Sequence, residues 1–485
     1  MAPSHIGSDR RRYVEGMRAL RLLLIVDAVA LAASTAISDP IVRDVATVPT
    51  LLIGVIVAIA CLSADLVQPR RRVEWVCSAL TIVAPFPFLV VGGSAGPILG
   101  AIAIIVLQVI PLVRARGPRP ERPGAEGPRR VVGALVITTA LLLIAVVALV
   151  WYGSTYLLLP PSGVFARGPF LTRVTTTEAD FAWTLKSGEG PVSLSVRAPD
   201  GAVTSAPGGR ATGLRPATRY VWTANLDGAS AAAGAFSTAP LSTETPITLV
   251  SFGDYGSGTA HEYAVARLAA AEHPAMFLSS GDNAYLLAAP PFLDRAIFRP
   301  LHALLAEAPA VATLGEHDLA YRDGDAVISA LHLPGHHYSA QYGPVQVVVL
   351  GLQADPSALD YARKTLGRCS GPCPVRFVLV HRPIPVNNPI MPLLRQRHVA
   401  AILAGHLHRY ERHVRGGVLQ FTVGTGGEGA GSAAYTLATP DAIVSFIAYG
   451  YLRIGIAGDR ISYQFIDQSG RVRDRVEQTI PRVDG

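Results

Sequence analysis

At 485 residues the chain is too long for one hydrophobic core, and two or three domains are expected. Half of the residues are hydrophobic and the mean hydropathy is positive. The net charge of +7 belongs to the first part: residues 1–152 hold 15 Arg against 9 Asp and Glu, and the other 333 hold 27 Lys and Arg against 26 acids. The longer part therefore carries no basic footprint, and no nucleic-acid partner is expected.

An N-terminal segment, 1–19, precedes five apolar stretches at about 20–37, 48–67, 73–92, 96–113 and 131–152. Each is long enough to cross ~30 Å of hydrocarbon as a helix, which predicts a five-span α-helical transmembrane region over 20–152 and a lipid bilayer as partner. The last stretch ends in Trp151 and Tyr152, the amphipathic pair expected at an interface. Arginines cluster at 10–21, 70–72 and 114–130, while the alternate connections carry Arg43 beside Asp39 and Asp44, or the uncharged GGSAG. By the positive-inside rule this predicts a cytoplasmic N-terminus, a multi-pass membrane protein and an extracytoplasmic C-terminal half. A cleaved signal over the first stretch, followed by ALAAST, is the alternative and leaves that half outside as well.

After a Pro-rich linker over 153–163, residues 164–240 change character. Short alternating runs (DFAWTL, VSLSVRA, RYVWTANL) are separated by the turn clusters SGEG, PDG, PGG and LDG. That spacing predicts a small all-β sandwich serving as a spacer. Of the four cysteines, Cys61 and Cys77 read as small apolar residues, while Cys369 and Cys373, in RCSGPCP, suit a short-loop disulfide.

Over 246–485, β runs alternate with helical segments. ITLVSFGD is a buried strand ending at Asp254. Thr259 can cap the helix that follows, with Ala264, Leu268 and Ala271 at helical spacing. AMFLSSGD ends at Asp282, VRFVLVH at His381 and VAAILAGH at His406. Four strands thus deliver an Asp or His at their C-terminal ends, where α/β sheets place ligand-binding loops. His413 lies near enough to the last of these to line its edge. The glycines of VGTGGEGAG lack the strand–Lys–helix setting of a phosphate loop and read as a tight turn.

The ordered set G-D-Y-G (253–256), G-D-N-A-Y (281–285), G-E-H-D (315–318), V-L-V-H (378–381) and G-H-L-H (405–408) resembles the calcineurin-like metallophosphoesterases. Gly256, Tyr285 and the tail GHLHRYERH make it similar to the purple acid phosphatases in particular, and ATGLRPATRYVWTANL resembles a fibronectin type III module. The resemblance implies an α/β/β/α catalytic sandwich and a binuclear centre, Fe(III) with a divalent Fe, Zn or Mn. It also implies that Asp254, Asp282, Tyr285 and His408 hold the ferric ion, and that Asp282 bridges to a second ion held by Glu316, His381 and His406. His317 would stabilise the transferring phosphoryl group or protonate the leaving group. Glu316 departs from the Asn usual in the family, and Asn387 and Asn388 stand where further histidines are common. The expected activity is hydrolysis of small-molecule phosphate esters by metal-activated water. A phosphodiesterase or nucleotidase with the same metals, or a non-catalytic surface binding protein, is the alternative.

Overall fold

The structure is a computed structural model and describes residues 165–185, 191–285, 288–429 and 438–480. The chain divides into two compact units; Tyr156–Gly431 with Tyr435–Gly485 make the one described here.

Alternation of apolar and polar residues sets up its first part. Strands β1 (Phe165–Val174), β2 (Glu178–Leu185), β3 (Val192–Arg197), β4 (Val203–Ser205), β5 (Arg210–Thr212), β6 (Arg219–Leu226) and β7 (Ala229–Ser237) form two sheets, ordered β1-β2-β5 and β4-β3-β6-β7. In β6, Tyr220, Trp222 and Ala224 are buried while Arg219 and Val221 face solvent, the period of two that a half-buried strand requires. The Tyr220 hydroxyl accepts from Arg215 N at 2.9 Å and so pins the turn leading into the strand.

The remaining chain builds two larger sheets. Its elements in order are β8 (Ile247–Phe252), α1 (Ala260–Ala271), β9 (Met276–Ser279), α2 (His302–Glu307), β10 (Ala310–Ala312), α3 (Glu316–Leu319), α4 (Asp325–Leu331), β11 (Tyr338–Tyr342), β12 (Val345–Val349), α5 (Pro356–Thr365), β13 (Val375–Leu379), α6 (Met391–Gln396), β14 (Ala401–Ala404), β15 (Tyr410–Arg415), β16 (Val418–Val423), β17 (Val444–Phe446), β18 (Gly450–Ala457), β19 (Arg460–Asp467) and β20 (Val472–Thr479). One sheet has the order β10-β9-β8-β18-β19-β20, the other β11-β12-β13-β14-β16-β15-β17. In the first, β8, β9 and β10 run parallel. In the second, β12, β13, β14 and β16 do.

The central strands of the second sheet are apolar on both faces, because each face meets a different core. Val347, Phe377, Leu379 and Leu403 pack inward with Leu249 and Phe252 of the first sheet. Val348, Val378 and Ile402 point the other way, onto Ala358 and Ala362 of α5 and Leu394 of α6. Thr259 caps α1 by accepting from Glu262 N, but the helix buries Val265, Ala266 and Ala269. Ala264 and Leu268 are only half-buried. The core face is turned from the one the apolar spacing suggested because Glu262, one turn earlier, is itself buried.

The small β module is joined to this body by specific contacts. Trp222 Nε1 donates to the Ala306 carbonyl of α2 at 2.9 Å in a buried setting, and the Tyr342 hydroxyl donates to Ser237 O at 2.9 Å. Arg167 of β1 pairs with Asp294 at 2.6 Å and lies over the Phe298 ring, which also meets Phe170. Cys369 and Cys373 are disulfide-linked on the loop between α5 and β13.

Two expectations are corrected. The expected fold class included an α-helical transmembrane region, but the described chain is a sheet-rich body with short helices. The multi-pass membrane localisation is likewise not supported: no helix among the described residues is long and apolar enough to cross a membrane. The physical reason is length. At ~1.5 Å per residue, the 12-residue α1, the longest of them, spans roughly 18 Å against the ~30 Å of a bilayer core. The five apolar stretches over 20–152 lie outside the described residues.

Replacing Trp222 by Phe keeps most of the buried ring but leaves the Ala306 carbonyl without its donor. A loss of about 1–3 kcal/mol in urea unfolding is expected, with the midpoint lowered and the slope unchanged.

Candidate metal centre

All eight residues singled out in the sequence come together at the C-terminal ends of the parallel strands. Asp254 follows β8, Asp282 and Tyr285 follow β9, and Glu316 and His317 open α3 just after β10. His381 follows β13, and His406 and His408 follow β14. The carboxylates therefore arrive from one sheet and the imidazole ligands from the other.

Delivering side chains this way bends the backbone sharply. Asp254, Asp282 and His406 have φ of 55°, 51° and 69°, a left-handed conformation that costs residues with a Cβ about 1–3 kcal/mol each. The glycines before the functional residues answer to close approach. A Cβ on Gly315 would sit 2.1 Å from Asp282 Oδ1, and one on Gly405 would sit 2.5 Å from Asp254 Oδ2. Gly256 also has a steric reason, since a Cβ there would stand 2.1 Å from the Asn283 carbonyl. A histidine at 256 has no room.

Among the described residues, two groups have potential ligand atoms that lie within 4.8 Å of one another inside each group: Glu316 with His381 and His406, and Asp254 with Asp282 and His381. His381 belongs to both. In the first group Glu316 Oε2 is 2.6 Å from His381 Nε2, and Glu316 Oε1 is 3.1 Å from His406 Nδ1. In the second, Asp282 Oδ2 is 3.5 Å from His381 Nε2. A third knot adjoins them. The Tyr285 hydroxyl is 3.4 Å from Asp254 Oδ1 and 3.1 Å from His408 Nε2, which is itself 3.4 Å from Asp254 Oδ1.

The orientation of His381 is fixed from behind. Its Nδ1 is 2.8 Å from the Ser280 carbonyl, which must accept from it, so Nε2 is the nitrogen turned to the carboxylates, which outweigh burial and push His381 well above its ordinary range. His381 Nε2 and Glu316 Oε2 are both buried, and neither makes a hydrogen bond despite their 2.6 Å separation. Buried polar atoms without partners are costly, and a cation between them satisfies both at once. Carboxylates, imidazoles and a phenol are also the donor set suited to a hard trivalent ion beside a divalent one. The residues present fit a binuclear centre.

Burial alone would raise the carboxyl groups. For Asp254 it is outweighed by the hydrogen bond from His408 and by the nearby His381 and His406, which hold the carboxyl below its ordinary range. Burial also opposes ionisation of Glu316, yet His381 and His406 hold it well below the ordinary range. Asp282 goes the other way: its burial, with Asp254, Asp318 and Glu316 nearby, pushes it well above that range. An isolated Asp282 anion is therefore disfavoured until a cation joins it.

Three supporting residues carry no signal in the sequence strong enough to single them out. Asp318 accepts from Gly315 N, Asn283 N, Ala284 N and Asn283 Nδ2, at 2.7 to 3.1 Å, tying the loop that carries Asp282 and Tyr285 to the turn that carries Glu316. Asn283 in turn donates to the Thr313 carbonyl. Arg382 contacts Glu316 Oε1 through Nε. Asp318 stands within a motif and Arg382 follows a ligand, but many charged residues have such neighbours. His413, by contrast, is not at the edge of the centre. It is fully buried between Glu411 and Asp441, 3.2 and 3.3 Å away.

No family model matches the chain, and no curated protein does. Solved structures similar to it include PhoD, at 12% identity over 64% of this chain and 90% of that one, with a TM-score of 0.48. Another is GAP50, the anchor in the inner membrane complex of Plasmodium, at 14% identity over 49% and 90%, with a TM-score of 0.41. YfcE, a phosphoesterase from E. coli, has 12% identity over 48% and 100%, with a TM-score of 0.25. All three scores lie below 0.5, and the reading of the centre rests on its own geometry.

Ions that bind only the folded state raise its stability by mass action. Manganese or zinc at about a hundred times its dissociation constant is expected to add ~2.7 kcal/mol, a rise of several degrees in the melting midpoint. His381→Ala, which removes the ligand common to both groups, is expected to abolish that rise. An equal rise in the variant refutes a shared ligand.

Proposed function

We propose that this chain is a metal-dependent phosphoesterase of purple acid phosphatase-like type, hydrolysing small-molecule phosphate esters. In this reading 246–485 is the catalytic domain and 164–240 a fibronectin type III-like spacer. Asp254, Asp282, Tyr285 and His408 hold a ferric ion, and Asp282, Glu316, His381 and His406 a divalent Fe, Zn or Mn. The single observation that carries it is the pair of candidate ligand groups, buried except for the half-buried His406, that meet at His381, whose Nε2 has no hydrogen-bond partner.

A bound ion pair of this kind stabilises both the attacking and the leaving oxygen of an in-line displacement at phosphorus. The chain's own residues do the rest. Ser280, through its carbonyl, keeps the proton of His381 on Nδ1 and the lone pair of Nε2 directed inward. Asp282 spends Oδ1 on the His317 backbone N–H at 2.9 Å and keeps Oδ2 for the centre. That same bond fixes the start of α3, where the His317 ring packs against Tyr285 with centroids 4.4 Å apart. From there the imidazole is assigned to give a proton to the leaving-group oxygen.

The test uses the full-length protein with p-nitrophenyl phosphate and its bis-ester, alongside metal analysis and a visible spectrum. Near-stoichiometric iron, a tyrosinate-to-iron charge-transfer band, and activity lost in His406→Ala are expected. His317→Asn is expected to lower kcat by about 10²–10⁴ while metal content stays constant. A protein that binds iron, manganese and zinc no better than a denatured control and cleaves neither ester refutes the proposal.

A further inference from the structure

Glu316 is a third carboxylate in an already acidic pocket, and it is 3% exposed. Its Oε2 faces His381, and its Oε1 is shared between His406 and Arg382. Arg382 is different in kind from the other groups here. Its backbone N–H donates to the Leu352 carbonyl at 2.8 Å, which fixes the start of its side chain beside His381. Its Nε is used on Glu316, its side chain is 36% exposed, and its two Nη groups hydrogen-bond to none of the described residues. The guanidinium is thus anchored through Nε on a side chain that is about a third exposed. An anchored guanidinium loses little rotamer entropy on taking a second anion, and its remaining N–H donors can converge on one phosphoryl oxygen.

We propose that Arg382, held in place by Glu316, is a substrate-positioning residue that takes a terminal phosphoryl oxygen and favours phosphate monoesters over diesters. The inference rests on the phosphoesterase reading above and deepens it. A cation at the rim adds attraction for an entering anion to whatever the centre itself supplies. The choice of ester follows from oxygen count. If the residues above held two ions that engaged two of its oxygens, a monoester dianion would keep a third for the guanidinium. A diester, with only two non-bridging oxygens, would not.

The test uses the full-length, metal-loaded protein and the variants Arg382→Gln and Arg382→Lys. Metal content is measured by elemental analysis, inorganic phosphate binding by calorimetry, and kcat and KM for p-nitrophenyl phosphate and its bis-ester. In Arg382→Gln, metal content is expected to hold while phosphate binds at least tenfold more weakly. KM for the monoester should rise more than kcat falls, and the monoester-to-diester ratio of kcat/KM should drop at least tenfold. Arg382→Lys, with the charge but not the fork, should recover only part of the loss. Phosphate affinity within twofold of the original, or an unchanged ester ratio, overturns the inference. So does loss of metal together with phosphate affinity, which would make Arg382 only a buttress for Glu316. A starting protein that takes up no metal fails the phosphoesterase reading itself and is told apart by the elemental analysis.

Discussion

The centre depends on bringing an acidic rim and an imidazole rim into contact. Asp254, Asp282 and Glu316 come from the ends of β8, β9 and β10, and His381, His406 and His408 from the ends of β13 and β14. Three carboxylates with 3% exposure or less could not be gathered this way without compensation, because burial and mutual repulsion both disfavour their ionised forms. The facing histidines supply part of it, and Arg382 adds a cation beside Glu316. The rest of the architecture serves this meeting. The sheets pack their inner faces together so that the strand ends converge, and left-handed turns at Asp254, Asp282 and His406 redirect the chain there.

Much of that convergence is legible in the sequence because it uses strong local signals. A continuous apolar run ending in Gly-Asp or Gly-His announces a buried strand that stops at a polar residue, and ITLVSFGD, AMFLSSGD and VAAILAGH lead into strands ending at Phe252, Ser279 and Ala404. The motif glycines are legible as glycines, but the reason for them is not. Gly315 makes way for Asp282, and Gly405 for Asp254, neighbours in space that a linear pattern cannot show.

What the sequence hides is whatever depends on which faces meet. The apolar spacing of α1 pointed to Ala264 and Leu268, while the packing selects Val265, Ala266 and Ala269. His413 stands five residues beyond His408, yet β15 carries it away into a separate buried network with Glu411 and Asp441. Asp318 and Arg382 are ordinary charged residues until the loop of Asp282 folds against one and Glu316 against the other. The apolar stretches over 20–152 lie outside the described residues, among which no helix is long and apolar enough to cross a membrane.

The division of ligands between two sheets has a topological consequence. His406 and Asp254 are 152 residues apart in sequence, and the His406 N–H already bonds the Asp254 carboxylate at 2.9 Å. An ion held between the rims would tie such distant segments together only while the chain is folded, and would stabilise that state by mass action. A metal bound here would therefore act as a stitch between the sheets. Withdrawing it would loosen the seam between the sheets and, through it, the fold of everything they carry.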